Sequence, residues 1–480
     1  MIGRLIELSI RNKLLVVLLT AVLVALGAWA VFQVRLDAIP DLSDVQVIVV
    51  AEHPGQAPEV VEDQVTYPLT TSLLAVPGAK VVRGFSMFEI SMVYVIFADG
   101  TDIYWARSRV LEYLNTAKER LPRGVEPRLG PDATGLGWVY QYVLHPGHHC
   151  PRHPQGVLRD DGEERWYASL EEAPAGRRDH LLRVRAFDQP GKCPLDGEDL
   201  QPANLDLTRL RSLQDWYLRY GLKVDGVSEV AAIGGFVKEY QVVLDPLRLR
   251  AFALTSEDII KAIERSNNDV GGSVIELAEN EYMVRSRGYL RGLEDLKDVV
   301  VGRGHEGTPA LLGNVATLQI GGAARRGIGE WNGRGEAVGG VIVARFGENA
   351  YQVIQDVKAR IRELEPGLPP GVEIRETYDR SSLIERSIDT LRKTLFEEML
   401  VVGLMCILFL LHARSELVAI FVVPSGVLVS FLVMHLLGLN ANIMSLGGIA
   451  IAIGVMVDSS VVMVENAHKH LDREEERVAA

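Results

Sequence analysis

Cysteine is scarce in this chain. Three residues in 480 are too few for a disulfide framework. Cys406 lies in an apolar run, which leaves Cys150 and Cys193 as the pair able to meet outside a membrane. A basic excess is also missing: the net charge is −13 and the pI near 5.4. Binding through counterion release is therefore disfavoured, no nucleic-acid partner is expected, and an acidic surface tolerates cations. No phosphate loop or nucleophile constellation occurs, which argues against an enzyme. The run YDRS at 378–381 reads as a linker.

Apolar residues, by contrast, are plentiful at 48%. The chain is too long for one ordinary domain and too apolar in places for a purely soluble protein. Four segments approach the roughly 20-residue bilayer length: 14–32, one ending at 400–411, 417–437 and 443–464. The second is short unless it runs back through Glu397 and Glu398. The first is too long for a signal core and reads as an uncleaved anchor. Arg4, Arg11 and Lys13 precede the first segment, Arg414 separates the second and third, and His468, Lys469, Arg473 and Arg477 follow the fourth. By the positive-inside rule both termini are cytoplasmic and residues 33–392 face outward, the periplasm of a bacterium, in a multi-pass inner-membrane protein.

The outer region opens on an alternating strand at 45–53 and an amphipathic helix at 57–76, stopped by Pro77-Gly78. Strands at 80–85 and 90–97 and a helix at 102–121 follow. The order βαββα suggests a ferredoxin-like unit. A second copy is read from strand 138–144, helix 207–222, strands 228–233 and 237–244 and helix 256–266, so internal duplication is expected. Helix 350–364 and strand 372–378 lead back to the membrane.

Within the last apolar segment stands an acid, Asp458. An ionised carboxylate in mid-span costs on the order of 3 kcal/mol, so it should face protein or a water cavity. Gly447, Ile451 and Gly454 share its stripe, and the glycines leave room for a neighbouring helix. The bland reading is an acid kept for helix registration. Glu465 shares the stripe but sits at the cytoplasmic edge, where acids are cheap. Met456 and Met463 lie seven apart on one face, roughly 140–160° from Asp458. Thioethers suit monovalent copper or silver, although methionine is also ordinary apolar filler.

The runs RLDAIPDLSDVQV, PGQAPEVVEDQVTYPLTTSLLAVPGAK, RSLQDWYLRYGLKVDGVSEVAAIGGFVKEYQVVLDP, ETYDRSSLIERSID and GLNANIMSLGGIAIAIGVMVDSSVVMVENAHK closely resemble the heavy-metal-efflux branch of the resistance-nodulation-division (RND) transporters. The match is nearest the copper/silver-exporting type. It covers almost the whole chain except about 60 residues after Leu144. Family members are roughly twice this length, so the chain looks like an N-terminal half. The resemblance implies a proton-driven cation antiporter, a homotrimer working with a periplasmic adaptor and an outer-membrane channel. It makes Asp458 the proton carrier, paired with acidic and lysine groups of the second half. It places Met444, Met456 and Met463 on a stepwise metal path. The divalent branch tends to carry an additional Asp where Ala452 stands, which favours Cu+ or Ag+ as the transported ion. Ala324 occupies what looks like a cleft methionine of the family.

The unmatched segment begins HPGHHCPRHP and ends GKCPLDGEDLQP. These ends resemble a small heavy-metal-binding motif, with Cys150, His153 and Cys193 matching ligands and Asp196 where the motif has a fourth Cys. Such a set would accept Zn2+. The alternative is a Cys150–Cys193 disulfide, and His148 and His149 read as exposed loop residues.

The expected architecture is thus membrane α-helical plus α+β: four transmembrane helices and a large periplasmic porter region of ferredoxin-like βαββαβ units. The domains run 1–33 (first span), 34–134 (first porter subdomain), 135–330 (second porter subdomain with the 145–205 insertion and a docking-like hairpin), 331–392 (return and linker), 393–465 (spans) and 466–480 (tail). No covalently bound cofactor is expected. The competing readings are a non-transporting, membrane-anchored metal-binding or assembly subunit, a truncated remnant, and a divalent Zn/Co/Cd exporter.

Overall fold

A computed structural model describes residues 9, 11–161, 165–269, 271–285, 288–303, 308–325, 327–410 and 413–479. The chain divides into two units, one made of 1–143, 218–231 and 340–480, the other of 144–217 and 232–339.

The first unit starts with helix α1 (Lys13–Gln33). Strand β1 (Gln46–Glu52) alternates half-buried and buried residues, as a half-covered strand should. A broken helix follows: α2 (Pro58–Val61), opened by proline at its first turn, a π turn (Glu62–Thr66), then α3 (Tyr67–Leu73). Strands β2 (Ala79–Met87) and β3 (Ile90–Phe97) form a hairpin, and α4 (Ile103–Lys118) is capped by the Asp102 carboxylate accepting from the Trp105 N–H. With β4 (Arg128–Leu129) the sheet runs β2-β3-β1-β4. Val47, Val49, Val93 and Val95 point inward from the sheet and meet Val65, Leu69, Ala106 and Val110 of the helices.

A second sheet is assembled from distant parts of the chain. Strands β5 (Trp138–Pro146), β6 (Val227–Ile233), β7 (Val338–Ala344) and β8 (Val372–Asp379) run in the order β6-β7-β5-β8. Between β7 and β8 lies α5 (Ala350–Leu364). The strand Lys238–Leu244, expected in this sheet, pairs instead with Ala316–Gly322. A contiguous second copy therefore does not form. The ferredoxin-like βαββαβ porter units expected above are not confirmed, because alternation marks the face of a strand and not its partner.

Helices α6 (Ser381–Leu410), α7 (Ala413–Leu436) and α8 (Ile443–Ala479) complete the unit. The expectation of four spans is corrected here. Among the described residues two helices are long and apolar enough to cross a membrane, Lys13–Gln33 and Ile443–Ser460, while Phe421–Leu436 is a shorter apolar stretch. The reason in α6 is charge: any piece of bilayer length within it takes in Lys393, Glu397 and Glu398. In α7 the described apolar stretch is Phe421–Leu436, and the side chains of 405–420 lie outside the described residues. Val34, Val423, Val427, Phe431, Leu446, Ile449 and Ile453 form one buried cluster. Gly27 seats α1 on α7 so closely that a Cβ there would fall 2.5 Å from the Leu428 carbonyl oxygen.

The YDRS run is not a loose linker. Asp379 Oδ1 accepts from the Ser381 N–H at 2.8 Å and Oδ2 from Ser381 Oγ at 2.7 Å, capping α6, and Oδ2 also accepts from Lys358 Nζ. Arg380, 4% exposed, donates to the Trp138 carbonyl at 2.9 Å and lies 3.4 Å from Asp37. These bonds tie the strand to the helix it leads into.

The second unit is built of short elements. The hairpin Gly271–Leu277 with Asn280–Arg285 is exposed along its first strand. Helix Ser256–Ser266 is started by a Thr255–Asp258 capping box. Its Ile259 packs on Leu296, Val301, Leu312 and Val315. Beyond the end of β5 at Pro146, the described residues up to 205 carry strands of two to four residues and a 3-10 turn.

Candidate metal centre

Two tight turns bring the centre together. In the first, the His153 N–H donates to the Cys150 carbonyl at 3.1 Å and the Gly156 N–H to the His153 carbonyl at 2.9 Å. Gly156 is left-handed (φ +87°), and a Cβ on it would fall 2.5 Å from the Val184 carbonyl oxygen, so glycine is required. In the second, the Gly197 N–H donates to the Cys193 carbonyl at 2.9 Å and the Cys193 N–H to the Glu198 carbonyl at 2.8 Å. Gly197 too is left-handed (φ +72°). Each turn presents two ligand side chains on one side, three residues apart.

Their ligand atoms all lie within 4.8 Å of one another. Cys150 Sγ is 3.4 Å from His153 Nδ1 and 3.5 Å from Asp196 Oδ2; Cys193 Sγ is 3.8 Å from His153 Nδ1; His153 Nδ1 is 3.5 Å from Asp196 Oδ2. Tetrahedral bonds of about 2.3 Å to sulfur and about 2.0–2.2 Å to nitrogen or oxygen separate ligands by about 3.3–3.8 Å. The four residues thus fit one metal ion. Both cysteines are buried free thiols, so the disulfide alternative does not form. The His153 and Asp196 side chains are 23% and 15% exposed.

Electrostatics follow from this crowding. Burial pushes the Cys193 thiol up to about 11, although backbone N–H groups of Leu195 and Asp196 favour its thiolate. Burial also pulls the Asp196 carboxyl upward, but donation from Cys193, the Glu198 N–H and Cys150 outweighs it, leaving the carboxyl below the usual range. A cation entering this set displaces thiol protons. His148 and His149 are not exposed loop residues: they form a half-buried strand paired with Gln201–Pro202.

The membrane-segment residues are not gathered in this way. Met444, Met456 and Met463 are strung along α8, about 1.5 Å per residue. Asn442 Oδ1 accepts from the Met444 and Ser445 N–H groups at 3.0 Å each, fixing the helix start. Met444 there lines a cavity of about 760 Å³ with Met434, Asp37, Asp41 and Asn440. Met456 packs at Gly426, and Met463 is exposed. Asp458, expected to face protein, is on an exposed face: Gly447 and Gly454 border open space, and Ile451 is 76% exposed. The Glu465 side chain lies outside the described residues.

Sequence reading missed the buried Asp379–Arg380–Ser381 junction. Its signal was an acid two residues before a serine at a helix start, a capping pattern.

Comparison with known proteins follows the same outline. The chain is 50% identical over 473 residues to "Cation efflux system protein CusA" of Escherichia coli K12, covering 98% of this chain and 40% of that protein. It is 47% identical over 478 residues to "Putative cation efflux system protein SilA" of Salmonella typhimurium, covering 99% and 40%. To the "Cobalt-zinc-cadmium resistance protein CzcA" of Cupriavidus metallidurans it is 32% identical over 477 residues, covering 99% and 40%. The chain therefore spans about 40% of the length of these relatives. A solved heavy metal efflux pump superposes with a TM-score of 0.77 at 29% identity, covering 98% of this chain and 41% of that one. Residues 5–152 and 199–480 match the AcrB/AcrD/AcrF family, leaving out most of the segment that carries the four ligands. The chain belongs to the AcrB/AcrD/AcrF family.

Proposed function

We propose that this chain is part of an inner-membrane RND pump that exports soft monovalent cations, Cu+ or Ag+, against an inward flow of protons. The observation that carries the reading is the identity contrast: 50% to a relative named as a cation efflux system protein, against 32% to one named for cobalt, zinc and cadmium. Met444, Met456 and Met463 supply thioethers for the cation, and Ala452 stands where a divalent exporter would place an oxygen ligand. Asp458 takes up the proton, and Glu465 is a subsidiary acid at the cytoplasmic edge. Moving one charge through 100 mV is worth about 2.3 kcal/mol, which powers the cycle. The exposed stripe at Asp458 accords with partner helices supplied by the remainder of the pump. A homotrimer, a periplasmic adaptor and an outer-membrane channel complete the assembly. In the 145–205 segment, two thiols, an imidazole and a carboxylate make a set suited to Zn2+.

A chimera tests the pump reading. Replacing the matching part of the Escherichia coli relative with this chain should restore Cu+ and Ag+ resistance to a pump-deleted strain, and Asp458→Asn in that chimera should abolish it. Undiminished resistance in the Asn variant would remove proton coupling at Asp458, and resistance to Zn2+ and Co2+ alone would reverse the choice of ion.

A further inference from the structure

Residues 145–205 have little of their own to hold them folded. Among the described residues, those with buried apolar side chains are Val157, Leu158, Ala173, Ala186 and the two thiols. The sheet at 46–129 rests, by contrast, on a cluster of seventeen buried apolar residues. The segment also buries charge, with Asp160 1% and Arg185 2% exposed, and each buried charge carries a desolvation cost that its partners must offset. Its longest strands have four residues. A stretch of about 60 residues with so thin a core needs a staple, by disulfide or by metal. The disulfide does not form.

The metal alternative is placed where a staple must be. Cys150 and His153 sit just after the segment leaves β5, and Cys193 and Asp196 just before it rejoins the pairing of His148–His149 with Gln201–Pro202. One ion ligated by both turns closes the loop between them and pins Trp166, Val184 and Phe187 against the thiols. The four side chains would together fill a tetrahedral set, as in a structural site; a site that hands its ion onward or activates a ligand keeps a position open. We propose that Cys150, His153, Cys193 and Asp196 form a closed structural centre whose Zn2+ holds residues 145–205 folded. This rests on the reading that the cluster binds Zn2+.

The test uses the full chain in detergent, loaded with Zn2+ and desalted. Zinc content is measured by mass spectrometry and amide hydrogen exchange is followed before and after treatment with a zinc chelator. The expected result is one Zn2+ per chain. On stripping, exchange across 150–200 accelerates at least about a hundredfold while 46–129 is unchanged, and added Zn2+ reverses the change. Cys193→Ser should resemble the stripped protein. Zinc retained with no change in exchange on its removal overturns the structural role while leaving zinc binding intact. No zinc retained by the reduced wild-type chain overturns the binding reading itself, and the inference with it.

Discussion

Removing the Asp379 carboxylate tests whether the strand-to-helix junction is a rigid coupling. The side chain accepts three hydrogen bonds, from Lys358 Nζ, the Ser381 N–H and Ser381 Oγ, and is 8% exposed. In Asp379→Ala the lost cap costs about 1 kcal/mol. The abandoned ion pair adds about 1–2 kcal/mol, less than a fully buried pair, because Lys358 is 26% exposed and Glu376 stands 3.4 Å away to take it up. The sum of about 2–3 kcal/mol corresponds to local opening about 30- to 150-fold more frequent. Hydrogen exchange at residues 381–386 reads this directly, and Asp379→Asn, which keeps a capping oxygen, should lose about half as much. An Ala variant within threefold of wild type refutes the reasoning. The pH response has a definite sign. Burial pulls the Asp379 carboxyl upward, yet Lys358 and Ser381 more than offset it, so it stays below 3.8. Its contribution is present above that unfolded value and fades as pH falls through the lower folded one. Lys358 is raised above 10.5 by Asp379 and Glu376 despite burial, so its contribution is present below 10.5 and is lost as pH rises through the folded value. Exchange at the junction should therefore show no pH-dependent loss of protection between about pH 4 and 10, after correction for intrinsic rates.

Two pairs of glycines give contrasting packing tests. Gly27→Ala drives a Cβ to 2.5 Å from the Leu428 carbonyl oxygen, so α1 must shift from α7 at a cost of about 1–3 kcal/mol; thermal unfolding should fall relative to Gly448→Ala, whose Cβ meets open space. Gly156→Ala combines a left-handed φ with contact at 2.5 Å to the Val184 carbonyl oxygen and should cost about 2–3 kcal/mol locally. Gly197→Ala, left-handed but unobstructed, should cost about 1 kcal/mol, and amide exchange at 153–157 and 193–200 distinguishes the two.

What could be read from sequence was whatever local chemistry decides. Strand β1 was expected at 45–53 and forms over Gln46–Glu52, and the helix expected at 102–121 forms over Ile103–Lys118, because alternation, capping and proline act within a few residues. That Cys150, His153, Cys193 and Asp196 gather into one cluster was legible from the motif that the two ends of the segment resemble; in the structure each pair is separated by one turn, and a glycine follows to let that turn close. Partner choice was not legible. Strand Trp138–Pro146 finds its neighbours at Val338–Ala344 and Val372–Asp379, and nothing in an alternating pattern specifies a partner that far away. Hydropathy failed in a related way at 400–411, where the described part of the apolar run, 400–410, is the tail of a longer helix whose earlier turns carry charge.

The two candidate sites divide along this line, which bears on how each can be tested. The Cys150, His153, Cys193 and Asp196 side chains bring their ligand atoms within 4.8 Å of one another inside this chain, so metal binding there can be measured on these 480 residues alone. Asp458 is different in kind. Its stripe of Gly447, Ile451 and Gly454 is open among the described residues. The proton-carrier reading proposed above places its partners outside the described residues, so the Asn substitution is to be read within a longer pump. Zinc binding that survives in the isolated chain, beside an Asp458→Asn effect that emerges only in the chimera, is the pattern this division requires. An Asp458→Asn effect already present in the isolated chain would place its partners among residues that the described fold leaves away from it.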